Sequence, residues 1–466
     1  MCRPLSGPAG SLVPMARPGS LVPAVPPLLV LASLALAGPR MALAQIYDVT
    51  DLGGSATQNQ TWSVTDGGLV VGYSTFSNGA TEGFFFDGTA LTFIGTPPQT
   101  SRTDLLGVNS LGQAVGKSGT TLENGQAILW TADGSPDGNT QSLGTLGGSR
   151  SAATSINDVG QVVGWAKLAG DAESRPFVWQ DGVMDSLPLL GGTQGGAEWI
   201  NASGQIVGGS TTDTDGLQQF AVVWEQGTVK RLPPEHPGLN NLAYFIHDDG
   251  SIAGSVRLPR PGGGFLTRAA IWRDGEVDLQ LGTLADGTPA EQFASSWASG
   301  VNANGEVVGM SVNAASALVP FVYRNGEMIE LNDLLPAPWI ADYVGSGAIN
   351  DAGQIVVSAV WPGQPGTRAL LLSPPAATSA DVTPTARILA TPNPFRAGTR
   401  LARGAASAGT PWRVVDVRGR VVRVLPGDAT STRWDGRDEG DRPVPAGVYF
   451  VVTPGSSSAS KLVRVR

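Results

Sequence analysis

SINDVGQVVGW, residues 155–165, sets Asn157, Asp158 and Gln161 around Gly160 with apolar residues on both sides. Met alone, it reads as a polar site. Related words recur, however: VNSLGQAVG at 108–116, INASGQIVG at 200–208 and VNANGEVVG at 301–309. With weaker copies included, the element [I/V]-N-x-x-G-Q-V-V-G occurs seven times, ending at Gly72, Gly116, Gly164, Gly208, Gly254, Gly309 and Val357. A repeat of this period governs any reading of the fold.

Each copy is followed by an apolar element carrying an aromatic residue, such as AILW (127–130), PFVWQDG (176–182), FAVVWEQG (220–227) and AAIWRDG (269–275). A Leu/Gly-rich element comes next: SLGTLGG (142–148), SLPLLGG (186–192), QLGTLAD (280–286) and ELNDLL (330–335). The apolar runs are too short for helices, are rich in Val, Ile, Phe and Trp, and are separated by DG, NG, GG and PG turn signals. Four such runs per unit predict the blades of a β-propeller. An open β-solenoid is the competing architecture. The Leu/Gly element is absent after the seventh aromatic run, whereas a spare copy, IYDVTDLGG (46–54), precedes the first repeat. An N-terminal strand completing the last blade would account for both and latch a ring of seven.

The expected organisation is a signal peptide over 1–44, a seven-bladed propeller over 45–373, a Pro/Ala/Ser/Thr linker over 374–386 and a small antiparallel Ig-like β-sandwich over 387–466. The fold class is all-β. LLVLASLALA (28–37) is too short to span a bilayer, which takes about 20 residues, and Ala42-Leu43-Ala44 supplies an A-x-A cleavage signal. Met15 would serve equally as a start. Cys2, the only cysteine, lies within the removed segment, so the mature chain has no thiol for disulfide, nucleophile or metal. No integral membrane segment is expected after signal removal.

The net charge of −9 is unevenly placed. Residues 45–386 hold 13 Lys/Arg against 33 Asp/Glu, and 387–466 hold 14 against 6, giving −20 and +8. So acidic a body excludes nucleic acid as a partner.

In the repeated word, Asn and Asp hydrogen-bond turn backbone and Gly takes the left-handed position of a type I turn with a Gly bulge. The structural turn residues are therefore Asn157, Gly160 and Gly164, with Asn201, Gly204 and Gly208, and Asn302, Gly305 and Gly309, in the other copies. The last Gly of each set is expected to let neighbouring blades approach closely. Asp158 is replaced by Ser110, Ala202 or Ala303, which excludes a catalytic carboxylate common to all copies. DGSPDGN (133–139) places Asp133, Ser135 and Asp137 like the opening of a calcium loop, but Gly144 stands where a bidentate Glu is wanted. Calcium is the one cofactor candidate; otherwise none is expected. His236 and His247 lack companions for a zinc site. Trp130, Trp179, Trp224 and Trp272 are expected between blades and not in a sugar-stacking ladder. No nucleophile elbow or H-E-x-x-H is present, so no catalytic residue is assigned and the chain is expected not to be an enzyme.

The I-N-D-x-G-Q-V-V-G, F-V-W-x-D-G and L-G-T-L-G-G elements together resemble the HAF family of bacterial extracellular repeats over about residues 46–374. That resemblance implies an exported β-repeat protein without established enzymatic activity. TPNPF (391–395), VVDVRGRVVRVL (414–425), WDGRDEGD (434–441), VPAGVYFV (444–451) and KLVRVR (461–466) resemble the C-terminal sorting domains of type IX secretion cargo and the related FlgD-type Ig-like module. The first would pass the chain to a secretion machinery; the second would fold beside the propeller. The expected function is a secreted or cell-surface protein binding a surface protein or glycan through loops that differ between copies, such as 147–151 and 168–175. A secreted glycan-cleaving enzyme and a structural surface-layer component are the alternatives.

Overall fold

The computed structural model describes residues 47–375 except 54–55, 122–123, 133–138, 213–217, 235, 237–238 and 261. In the tail it describes 389–391, 399–402, 411–416, 420–426, 431–452 and 459–464. The expected signal segment, most of the expected linker and the calcium candidates Asp133, Ser135 and Asp137 lie outside the described residues. Apart from two 3-10 turns, Glu291–Phe293 and Leu331–Leu334, every described element is a strand. The chain is all-β.

The third repeat shows how each unit is made. Gly147–Ile156, Val162–Leu168, Ser174–Gln180 and Val183–Ser186 pair in chain order as an antiparallel four-stranded sheet. The same meander recurs over 195–231, 241–280 and 296–330, and twice more over 58–94 and 102–144, where one parallel pair, Thr81↔Arg102, joins the two. Third and fourth strands meet at Asp181-Gly182, Gln226-Gly227, Asp274-Gly275 and Asn325-Gly326. Both residues of each pair have φ between 51° and 88°. That double left-handed geometry is the type I′ hairpin, whose twist matches that of the strands it joins.

The last sheet is assembled from both ends of this region. Ile340–Tyr343, Ile355–Val360 and Thr367–Ser373 take Asp48–Asp51 as their fourth strand, with Asp48 opposite Ser373 and Asp51 opposite Leu370. The first and last sheets also bond directly. Thr61 N–H donates to Ser358 Oγ (3.1 Å) and Asn59 Nδ2 to the Thr367 carbonyl (2.6 Å).

Two expectations need correction. The Leu/Gly elements are mostly not the fourth strands, which precede them. Their leading leucine is instead an anchor: the Leu52, Leu232 and Leu281 side chains are buried, and their N–H groups bond carbonyls of Ala369, Ala221 and Ala269. Residues 147–151, expected as a recognition loop, belong to the strand Gly147–Ile156.

Buried Trp130, Trp179, Trp224 and Trp272 pack in the apolar clusters of these sheets. Trp224 Nε1 donates to the Pro188 carbonyl (2.7 Å) and Trp272 Nε1 to that of Pro233 (3.0 Å), so neither indole leaves a buried donor unpaired. In the tail, a three-stranded sheet (Leu389–Thr391, Thr399–Ala402, Ser431–Trp434) and a four-stranded one (Val421–Leu425, Trp412–Asp416, Gly447–Val452, Ala459–Arg464) share one core. Trp434 of the first meets Tyr449 of the second edge-on at 5.3 Å.

Candidate binding cleft

The turns after the leading strands converge on one cavity of about 180 Å³, bounded by residues 63–66, 108–110, 156–158, 245–248 and 349–351 and by Trp199, Ile200 and Ala202. SINDVGQVVGW sits here. Gly160, Gly204 and Gly305 have φ of 80°, 82° and 75°, and the Gly160 N–H bonds the Asn157 carbonyl at 3.1 Å. Asn157 is buried. Its Oδ1 accepts from Gln161 N–H (3.0 Å), and its Nδ2 donates both to Gln161 Oε1 (2.9 Å) and to the Asn201 carbonyl of the next sheet (3.2 Å). Asn109, Asn201, Asn302 and Asn350 reach in the same way to the carbonyls of Asn157, His247, Asn350 and Thr65.

The variable acid has a role that copy-by-copy comparison hides. Asp158 accepts from the N–H (2.8 Å) and hydroxyl (2.6 Å) of Ser110 in the preceding sheet. Asp248, Asp351 and Asp66 likewise accept the N–H of Ala202, Ala303 and Asp351. Asn clasps forward and Asp clasps backward.

Gly164, Gly208 and Gly309 serve close approach, but within their own sheet and not between sheets. A Cβ added at each would lie 2.0, 2.2 and 2.0 Å from the carbonyl oxygens of Ala152, Gly196 and Trp297 on the leading strand, beside a bulge in its register. In the wall of the cavity, the Trp199 indole packs on Phe245 at 4.9 Å and lies against Gly347, where an added Cβ would be 2.3 Å from the ring. This end of the assembly is therefore a built and plugged structural junction. Among the described residues no group of three or more His, Cys, Asp or Glu is placed to hold a metal ion, and no helix is long and apolar enough to cross a membrane.

A second cavity lies where the leading strands begin. Where the leading strands Gln58–Val64 and Ile340–Tyr343 begin or turn in, a cleft of about 510 Å³ is lined from the first and last sheets, with Arg102 from the second and Met310 and Leu318 from the sheet over 296–330. Gln58, Asn59, Gln60, Thr75, Ser358 and Thr367 give its wall amides and hydroxyls, Tyr73 and Tyr343 give aromatic surfaces, and Met310 and Leu318 add apolar ones. The Tyr73 hydroxyl donates to Gln60, and the Arg102 guanidinium lies 5.0 Å from the Tyr73 ring centre. Arg102 is not a free cation: its Nη2 and Nε contact the two oxygens of Asp104 at 2.8 and 2.9 Å, and Lys117 stands 3.8 Å from the same carboxylate. Burial raises the Asp104 carboxyl, and Arg102 and Lys117 pull it back. Asp342, exposed, also lines the cleft.

Deeper in, Tyr343 stacks on Trp62 at 5.9 Å, and burial pushes its phenol up to about 12, helped by the nearby phenols of Tyr73 and Tyr244. Tyr244 in turn feels Glu198. Glu198 is half-buried, and desolvation by the protein around it pushes its carboxyl up to about 7. Sequence reading did not find Gln60, Tyr73, Arg102, Glu198 or Tyr343. The available signal was their departure from the repeat: Glu198 occupies a leading-strand position held by Thr154 one repeat earlier.

No family model matches the chain, and no curated protein matches it. Among solved structures it is similar to PorZ, described as an essential bacterial surface component of the type-IX secretion system of Porphyromonas gingivalis. The identity is 12% and the TM-score 0.42, with 88% of this chain and 59% of that chain covered. YCF48 bound to D1 peptide matches at 13% identity and TM-score 0.43, covering 72% of this chain and 99% of that one. The β-propeller domain of the Trilobed protease from Pyrococcus furiosus, described as having an open velcro topology, matches at 11% identity and TM-score 0.32, covering 81% and 97%.

Proposed function

We propose that this chain is an exported, non-enzymatic, seven-bladed β-propeller that binds a saccharide in the open cleft, followed by an Ig-like domain that hands it to a secretion or anchoring machinery. The carrying observation is the chemistry of the cleft between the first and last sheets. It offers amide, hydroxyl and phenol groups in a space of about 510 Å³, with its one guanidinium already held by Asp104. Such a wall, with Met310 and Leu318 beside its polar groups, suits a neutral ligand that carries both hydroxyls and apolar C–H surface. The export signal, the absence of any thiol outside Cys2 and the tail motifs support a surface or extracellular address.

Glycan-array screening of the purified chain, followed by calorimetry on the hits, tests this. Saturable binding weakened by Gln60→Ala is the expected result; no saccharide binding at any concentration would overturn it.

A further inference from the structure

We propose that the ligand is an oligosaccharide whose chain runs from the cleft into a second pocket on the second sheet; this rests on reading the cleft as a saccharide site. The second pocket holds about 430 Å³. Ser118, Gln126, Ile128, Thr140 and Ser142 line it from the sheet over 102–144, and Pro97 and Thr100 from the connection that leads into that sheet. The register puts the sheet residues on one face: Ser118 is opposite Gln126, Ser142 opposite Ile128 and Thr140 opposite Trp130. Residues directly opposite share a face, and so do residues two apart on one strand. Among the described residues, no charged side chain lines this pocket.

A row of hydrogen-bonded groups joins the two spaces. Thr75, in the cleft wall, has its hydroxyl 3.1 Å from that of Thr81, and Arg102 Nη1 donates to the Thr81 hydroxyl (3.3 Å). On the other side, Ser118 Oγ lies 3.0 Å from the Arg102 carbonyl oxygen and 3.2 Å from the Thr100 hydroxyl. Arg102 therefore lines the cleft with its side chain and supports the second pocket with its backbone. From Thr100, in the second pocket, to Arg102, in the cleft, is at most about 7 Å of chain, a gap that about one or two sugar units cross.

The occupant follows from the groups along this path. The hydroxyls of Thr100, Thr140 and Ser142 and the amide of Gln126 each donate and accept, as the hydroxyls of a sugar do. Ser142 donates to Gln126 Oε1 (3.2 Å), and among the described residues nothing bonds Gln126 Nε2, which is left for a ligand. An anionic chain would meet a guanidinium already held by Asp104 at 2.8 Å. Apolar peptide side chains would leave the hydroxyls and the amide desolvated and unpaired. Two spaces of like chemistry a short step apart fit a ligand that repeats.

The test uses the purified chain with soluble cello-, chito- and manno-oligosaccharide ladders, from monosaccharide to hexasaccharide, and calorimetry for Kd. Affinity should climb with chain length until the chain fills both pockets, and then level off. Gln126→Ala should weaken the hexasaccharide about fivefold, the loss of one ligand hydrogen bond, and leave the monosaccharide unchanged. Ser142→Trp, which fills the second pocket, should remove the dependence on length, whereas Gln60→Ala should weaken short and long ligands alike. Gln126 and Ser142 are exposed, so both variants should keep the parent melting temperature, which separates a lost pocket from a lost fold. A Kd that stays level from disaccharide to hexasaccharide overturns the second pocket. So does hexasaccharide binding by Ser142→Trp within about twofold of the parent, with Gln60→Ala still impaired, and the cleft reading then stands. Parent protein that binds no saccharide overturns both.

Discussion

Gly164→Ala separates two explanations of the repeated glycine. If Gly164 only loosens the chain, alanine should stabilise the protein by about 0.4–1 kcal/mol, because it lowers the entropy of the unfolded state. Gly164 lies outside the left-handed set, so its backbone would accept alanine without strain. The structure says that space forbids it. The new Cβ would sit 2.0 Å from the Ala152 carbonyl oxygen and 2.9 Å from Ala153 Cα, where ordinary carbon–oxygen contacts begin at about 3.3 Å. The leading strand must therefore open by more than about 1 Å beside its bulge, breaking or bending the bonds that pair Ala152 and Ala153 with Trp165 and Gly164. Two backbone bonds at about 1 kcal/mol net each, plus desolvated groups left behind, put the loss at about 2–4 kcal/mol after the entropic gain is subtracted. Urea unfolding followed by tryptophan fluorescence reads this directly. Val357 supplies the control, since it holds the equivalent place in the last sheet, where the leading strand ends at Tyr343 before reaching it. Val357 is fully buried, so Val357→Gly should also destabilise, by a cavity of comparable cost. A Gly164→Ala protein as stable as the parent would refute the close-approach account.

Other consequences follow from single groups. Burial raises the Glu198 carboxyl from 4.5 to about 7, so the unfolded chain ionises first and stability falls as pH rises from about 4.5 to 7, then levels off. Glu198→Gln should remove that slope, matching the parent near pH 4 and exceeding it near pH 8 by up to ~3 kcal/mol; parallel melting curves across this range would count against an enclosed carboxyl. Arg102→Met strands the buried Asp104 carboxylate and should cost about 3–5 kcal/mol, most of it recovered by adding Asp104→Asn; a double variant no better than the single one would show that the pair is not what matters. His247 interrupts the forward Asn clasp, since it has no amide to offer the Asn302 carbonyl. His247→Asn should gain about 0.5–1.5 kcal/mol in urea unfolding, unless its contact with Asp351 (3.2 Å) is worth as much.

The strands, the tight turns and the borrowed fourth strand were legible because each is written locally, in alternation, in D-G and N-G pairs, and in the spare DVTDLGG near the start. The fourth-strand boundaries were not. Leucine after the strand is as apolar as leucine within it, and only its burial and its N–H partner tell them apart. The cleft was illegible for a different reason. Gln60, Arg102 and Tyr343 belong to the first, second and last sheets, and nothing in their neighbours along the chain announces that closure sets them side by side. A unit-specific residue in an otherwise repeated strand is the trace that remains.

The acid of the opening motif shows how closure changes the meaning of decay. Read along the chain, Asp66, Ser110, Asp158, Ala202, Asp248, Ala303 and Asp351 look like a motif eroding at random. Placed on consecutive sheets, acids and non-acids alternate. Each of Ser110, Ala202 and Ala303 offers its N–H to the acid that follows, and is followed by an acid that needs it. Alternation also keeps like charges off adjacent turns around a small cavity, where repulsion would oppose the clasp. With an odd number of turns the pattern cannot close, and two acids must adjoin: Asp351 and Asp66, where Asp351 N–H bonds the Asp66 carboxylate at 2.9 Å. At that junction the structure supplies the His247 imidazole, Nε2 at 3.2 Å from Asp351. The histidine that looked like a stray variant of Asn stands where the ring of turns has one carboxylate too many.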